Sequence, residues 1–420
     1  MKEGKVDVIE ETYQTLASIR KHIEEKHPER KWLYEPATRY FELVYQGIMQ
    51  QKPLLWYFYC LCPEIFRSMD VTPFSPEYAC GIMASLRGGI NLKYLDIASE
   101  KLPQDMCAAN KFPVGLALSR DTVIPDVMVY AAANPCDAAI TVYSNLDHYC
   151  NIPSFYLDIP YLSDERGRKY VARELKKMVS FVEEQTKQKL DLDRLRETIG
   201  YSNQAQEYIL KLNQLRKNVP CPTSSRALHI TGGAIMGLCG LPEFVDWCRG
   251  QYELVKVKVE RGERVIPEEK IRLVWIATGV DFNLSIFEWL ENEYGAVMVA
   301  SLLSDYPTEP IDNAGEKSKM FEGLAKKVMN YPMARHGRGS ADTYISECIS
   351  IARDYKADAV IFAGNTGCKY NWATAQLVKD TIYDELGIPT LCFELSPFDP
   401  RVLSFEGVKA KFEQFFELVL

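Results

Sequence analysis

The 420-residue sequence contains no apolar run approaching the roughly 20 residues that a membrane helix needs. Its start, MKEGKVDVIEETY, is acidic and helical in character and lacks the basic-then-apolar order of an export signal. A cytoplasmic location and no membrane partner are therefore expected. Basic residues are outnumbered, 49 Lys and Arg against 57 Asp and Glu, for a net charge of −8 and a pI near 5.4. Phosphate contacts need a basic surface, so nucleic acid is not an expected partner. Histidine is scarce at five, and neither CxxC nor HExxH occurs. A structural zinc site normally pairs its ligands a few residues apart, and Cys60-Leu-Cys62 is the sole close pair. Gly232, Gly233, Gly237 and Gly240 precede no GK[ST] and form no GxGxxG after a strand. That excludes the usual nucleotide loops and leaves close helix packing as their use.

Cysteine, by contrast, is plentiful at twelve. In a reducing compartment disulfides are not expected, and most free cysteines are small apolar core residues. A hydrophobic content of 47% with 25% charged residues is that of a soluble globular protein. The length exceeds one ordinary core and implies two or three domains.

Residues 1–50 read as an N-terminal helical arm, with Ile19, Ile23, Phe41, Val44 and Ile48 at helical spacing. Residues 51–163 alternate short apolar runs with helical stretches and form a first α/β lobe, its best strands at 127–131 and 154–157. Residues 164–268 form a charged, amphipathic helical segment, broken at Pro220 and Pro222 and continued by a helical patch over 232–262. Residues 269–420 form a second α/β lobe, with strands at 271–277, 297–300, 359–363 and 390–393 between helices at 284–293, 340–355 and 371–386. The expected fold class is α/β: two doubly wound parallel-sheet lobes with an additional helical segment.

The two lobes carry the same unit. DVMVYAAANPC, a helix and NIPSFYLDIP in the first match DAVIFAGNTGC, a helix and GIPTLCFELSP in the second. The same interval separates Asp126 from Cys136 and Asp358 from Cys368, and both helices end at an Ile-Pro pair. Residues just past a strand's carboxyl end face the ligand crevice of a doubly wound sheet. Both cysteines therefore take equivalent positions in small-residue turns that favour thiolates, unless duplication merely kept two buried cysteines. Cys107, in LPQDMCAANKFPVG, has the same loop-to-helix character, whereas Cys62, Cys80, Cys150, Cys348 and Cys392 fall on predicted helices or strands. Three separated thiolates on loops suit a cubane iron–sulfur cluster between the lobes, with one iron left free.

These motifs carry a resemblance. CPEIFRSMDVTPFSPEYACG, DMCAANKFPVG, NPCDAAI, NTGCKYNW and the terminal SPFDPRVLSFEGVKAKFEQFFELV look like those of 2-hydroxyacyl-CoA dehydratase subunits, a family that includes ATP-dependent benzoyl-CoA reductase. The resemblance covers nearly the whole chain beyond the first helices. It implies one [4Fe–4S] cluster on Cys107, Cys136 and Cys368 with a non-protein fourth ligand. It also implies a homologous second subunit in a heterodimer, an ATP-dependent iron–sulfur activator and a CoA-thioester substrate. In such a dehydratase one activating electron gives a ketyl radical that expels the hydroxyl, and the electron is then returned. The turns around Cys136 and Cys368 depart from the usual dehydratase forms, so a benzoyl-CoA-type reductase subunit and a non-catalytic electron-relay partner stand as alternatives.

The resemblance places Glu77 near the open iron as the catalytic carboxylate, although a first-turn charge on a helix explains it equally. It places Cys60 near the substrate, against plain burial in the strand LLWYFYC. Arg335 and Arg338, with His336 in MARHGRGSAD, form the densest basic spot and suit the phosphates of coenzyme A, or else a solvated loop. Lys369, Tyr370 and Trp372 follow Cys368, where the aromatics would keep a cluster dry.

Overall fold

The computed structural model describes residues 7–131, 136–266, 268–304, 309–336 and 341–419. Two four-stranded parallel sheets organise them. In the first, β1 (Leu54–Tyr57), β2 (Thr72–Phe74), β3 (Val127–Ala131) and β4 (Ser154–Leu157) lie in the order β2-β1-β3-β4. In the second, β5 (Ile271–Trp275), β6 (Ala296–Ser301), β7 (Ala359–Asn365) and β8 (Thr390–Leu395) lie in the order β6-β5-β7-β8. The two orders are the same, so the sequence repeat is a repeat of topology. Central strands such as VMVYA and AVIFAGN are buried along their whole length, as parallel strands covered by helices on both faces must be.

The repeated residues hold the central strands in register. Asp126 accepts from the Leu54 amide at 2.7 Å and returns its own N–H to the Leu54 carbonyl at 2.9 Å. Asp358 does the same with Arg272 of β5, at 2.8 and 2.9 Å. The carbonyls of Pro153 and Pro389, from the two Ile-Pro pairs, accept from Met128 and Val360 at 2.9 and 3.0 Å. Each sheet changes direction between its first and third strands in chain order, which opens a crevice beyond their carboxyl ends.

Several details differ from the sequence reading, among them β5, which ends at Trp275 rather than at residue 277. The strands β7 and β8 run two residues further, because Gly364 and Asn365 pair with Glu394 and Leu395. The first sheet has one further short strand, β2, which contains Pro73. The strand β1 also stops at Tyr57, so Cys60 lies in the turn beyond it rather than in a strand. The charged segment divides into helices Glu165–Thr186 and Leu192–Arg216, separated where Lys187 turns left-handed and Asp191 caps the second helix. Gly237 is a packing glycine as expected: a Cβ there would lie 2.2 Å from the Tyr78 ring.

One apolar core spans the first sheet, the N-terminal helices and the helix Lys317–Asn330, and two further cores cover the faces of the second sheet. Lys327 on that helix pairs with fully buried Glu64, which also accepts from Ser202 at 2.6 Å. Burial raises the Glu64 carboxyl, but the Lys327 charge and hydrogen bond outweigh it and hold it below its ordinary value. Removing one partner of a buried pair strands the other charge. Lys327→Met is therefore expected to cost roughly 3–5 kcal/mol in denaturant unfolding, with much of the loss recovered in the Glu64→Gln/Lys327→Met double variant. A single variant within about 0.5 kcal/mol of wild type, the range of a plain surface substitution, would contradict the pairing.

Candidate active site between the two sheet edges

Cys107, Cys136 and Cys368 are each the residue before the first turn of a helix: Ala108–Ser119, Asp137–Cys150 and Lys369–Leu386. A helix start presents unpaired N–H groups and the positive end of its dipole, both of which favour a thiolate. The Ala139 amide faces Cys136, and the Asn371 and Tyr370 amides face Cys368, although none meets the geometry of a full capping bond. Side-chain amides add to this. Asn110 donates to the Cys136 sulfur at 3.5 Å, and Asn365, the last residue of β7, donates across the seam to the Cys107 sulfur at 3.2 Å. Lys111, buried one turn after Cys107, donates to Ser99 and to the Gln104 carbonyl at 3.3 and 3.1 Å, and its positive charge bears on Cys107 from behind the wall.

The close approach of the lobes depends on Gly367. Its φ of +148° suits only glycine, and a Cβ there would lie 2.3 Å from the Cys107 amide nitrogen. Beyond the cysteines, Lys369 and Asp137, the first residues of two of these helices, meet at 3.1 Å. That pair is largely exposed and contributes little energy, but it marks how near the two helix starts lie. Asn91 donates to the Phe398 carbonyl at 2.8 Å, so the terminal SPFDP motif closes a second side of the seam.

All three cysteines line one cavity of about 940 Å³ between the lobes. Tyr59, Glu77, Tyr370 and Asn371 share its wall near them. Glu77 is buried, accepting from the Tyr143 hydroxyl at 2.6 Å and from Ser75 at 3.3 Å. Tyr143 sits two turns along the helix that Cys136 begins, on the same face, and stacks on Tyr130 at 5.1 Å. Burial pushes the Glu77 carboxyl up to about 7, against the pull of those hydroxyls. A carboxyl poised there can give or take a proton near neutrality. Burial likewise pushes the Cys368 thiol up to about 11 and raises Cys136. Among the described residues, no group of His, Cys, Asp and Glu side chains converges on a point that would hold a single metal ion.

The other expected site residues lie further back. Cys60 is buried in the turn behind Tyr59 and does not line the cavity. Arg335 ends the short helix Pro332–His336, with its guanidinium 2.7 Å from Glu347 and little exposed. His336, which does line the cavity, shares that carboxylate at 2.6 Å. Arg338 lies outside the described residues. Tyr370 faces the cavity, whereas Trp372 turns under the second sheet against Phe362 and Gly364. Asn110, Lys111, Asn365 and Tyr143 were not singled out from sequence. Asn110 and Lys111 stand inside the DMCAANKFPVG motif, but what they touch is set by the fold.

A sequence profile of the family described as 2-hydroxyglutaryl-CoA dehydratase, D-component, matches residues 59–419. A benzoyl-CoA reductase subunit of Thauera aromatica is 24% identical over 377 residues, 85% of this chain and 86% of that protein.

The raised Glu77 carboxyl favours the neutral acid in the folded state. Its contribution is intact below the ordinary carboxylate range and is lost as pH rises to about 7. Glu77→Gln removes that dependence while keeping an acceptor for Tyr143. Its stability relative to wild type is expected to rise by roughly 3 kcal/mol between pH 4.5 and pH 8 in denaturant titrations. A pH-independent difference would show that Glu77 ionises normally.

Proposed function

The chain belongs to the family of the 2-hydroxyglutaryl-CoA dehydratase D-component, and on that premise we propose that it is the iron–sulfur subunit of a 2-hydroxyacyl-CoA dehydratase. The observation that carries the proposal is the placement of Cys107, Cys136 and Cys368 at three helix starts around one interlobe cavity.

The donor set fits a [4Fe–4S] cluster. Three soft ligands that share a cavity wall, yet do not converge on one ion, suit a group several ångströms across. Amide donors on two of the sulfurs and the buried Lys111 charge suit thiolates bound to iron. The fourth iron ligand would come from water or substrate, since Cys60 stands behind Tyr59. Such a cluster supplies a reversible one-electron reservoir and a Lewis-acidic iron. The chain's own residues would do the remaining work. Tyr59 and Tyr370 screen the cysteine end from water, and the cavity orients a thioester with its carbonyl toward that end. Glu77 would hold the proton that leaves with the substrate hydroxyl. Cys60 and Arg335 enter this reading as supports of the wall, Cys60 behind Tyr59 and Arg335 through the Glu347 carboxylate that it shares with His336.

A homologous second subunit and an ATP-dependent iron–sulfur activator belong to the proposal, since one electron must be lent and recovered. The likeness to a benzoyl-CoA reductase subunit supports the second reading, in which electrons are consumed and an aromatic thioester is reduced. A purely relaying subunit would have no use for a substrate-sized cavity beside its cysteines.

An anaerobic assay with the partner subunit, activator, ATP and reductant tests the proposal. The expected result is an enoyl thioester formed from a 2-hydroxyacyl-CoA, with far less reductant consumed than product made. Stoichiometric electron use with an aromatic CoA ester would select the reductase, and turnover of neither would overturn both.

A further inference from the structure

The cavity carries a histidine–carboxylate pair on another wall that the proposed function leaves unused. His229, on the helix Ser225–Leu238, places Nε2 3.1 Å from Oδ1 of Asp281, in the segment after β5. Both residues line the cavity that holds Cys107, Cys136, Cys368 and Glu77. The Phe287 ring lies 5.1 Å from the imidazole and covers one of its sides. With Nε2–H donated to Asp281, Nδ1 keeps a lone pair, which is how a carboxylate orients a histidine for proton transfer.

Two glycines make this arrangement possible. A Cβ on Gly279 would lie 2.9 Å from Nδ1 and 2.4 Å from Cε1 of His229, so any other residue would cover or displace the free nitrogen. A Cβ on Gly81 would stand 3.9 Å from Oδ1 of Asp281 and 3.3 Å from the Phe398 ring. Gly81 is one helical turn beyond Glu77 on the helix Pro76–Ser85, and residues so spaced share a face. Asp281 therefore stands against the same helix that carries the carboxyl assigned to the leaving hydroxyl, beside the residue one turn further on.

We propose that His229, oriented by Asp281, is the base that takes a proton from the substrate carbon adjacent to the one bearing the hydroxyl. The role rests on the dehydratase reading. Loss of water breaks two bonds on neighbouring carbons. The carbon–hydrogen bond gives its proton to His229 Nδ1 and leaves its electron pair in the new double bond. The carbon–oxygen bond breaks with the proton held by Glu77, and water departs. The electron lent by the ATP-driven activator acidifies the carbon–hydrogen bond and is returned. Passage of the proton from His229 back to Glu77 restores both residues, so protons and electrons balance.

The test uses the assembled, activated complex carrying His229→Ala, Asp281→Asn or Gly279→Ala. His229→Ala is expected to lower the dehydration rate by about 10²–10⁴-fold, with iron content and thioester affinity unchanged. Added imidazole should restore part of that rate. Deuterium on the attacked carbon should slow the variant more than wild type. Gly279→Ala should lose rate in the same way, because its Cβ would push the imidazole out of its place beside Asp281. A His229→Ala complex within about threefold of the wild-type rate would overturn the role. So would a slow variant with neither imidazole rescue nor an enlarged isotope effect, because lost packing alone gives neither. A wild-type complex that eliminates no water overturns the dehydratase reading, and this role with it.

Discussion

Everything in the site depends on how closely the turn after β7 can approach the loop before the helix Ala108–Ser119. At Gly367 the approach is backbone against backbone, with a Cβ position only 2.3 Å from the Cys107 nitrogen and 2.7 Å from the Asp105 carbonyl. Asn365, two residues earlier, spans the same gap to the Cys107 sulfur. A side chain at Gly367 would wedge the lobes apart at the point where the first lobe's cysteines and Cys368 must face one cavity. The backbone conformation there, φ +148°, independently demands glycine. Strand order delivers the turn, but the missing Cβ lets the two halves meet.

The lobe duplication explains why the meeting surfaces are chemically alike. In each sheet a register-setting aspartate, a central strand, a cysteine at a helix start and an Ile-Pro pair recur in the same order. Facing the two carboxyl edges toward each other brings two helix dipoles to bear on the same space, and Cys107 adds a third. These local fields compete with burial. Burial wins for the thiols of Cys136 and Cys368, raising both and pushing Cys368 up to about 11. Iron reverses that balance by replacing the proton, which ties assembly of the centre to its electrostatics.

Much of this was legible in the sequence because the repeat is local. Asp126, Cys136, Asp358 and Cys368 stand inside contiguous segments whose strand–turn–helix pattern fixes where each residue falls. The strand β2 was not legible: three residues, one of them a proline, leave no periodicity to read. Glu77 was legible as a residue but not as a raised acid, because Tyr143 arrives from a helix far along the chain. The pairing of His229 with Asp281 across 52 residues had no signal, nor did the Asn365–Cys107 bond across 258. The partner of Arg335 had no signal either: the basic spot is plain in the sequence, but the Glu347 carboxylate reaches its guanidinium from the next helix, Ala341–Asp354.

The central claim is that three specific thiols hold one cluster, and anaerobic iron and sulfide content with EPR tests it most directly. Wild type should hold about four irons per chain, as a cubane requires. Cys107→Ala, Cys136→Ala and Cys368→Ala should each lose most of that iron, whereas Cys60→Ala and Cys392→Ala should keep it. A wild-type chain without iron, or a full cluster in any one of the first three variants, would contradict the account.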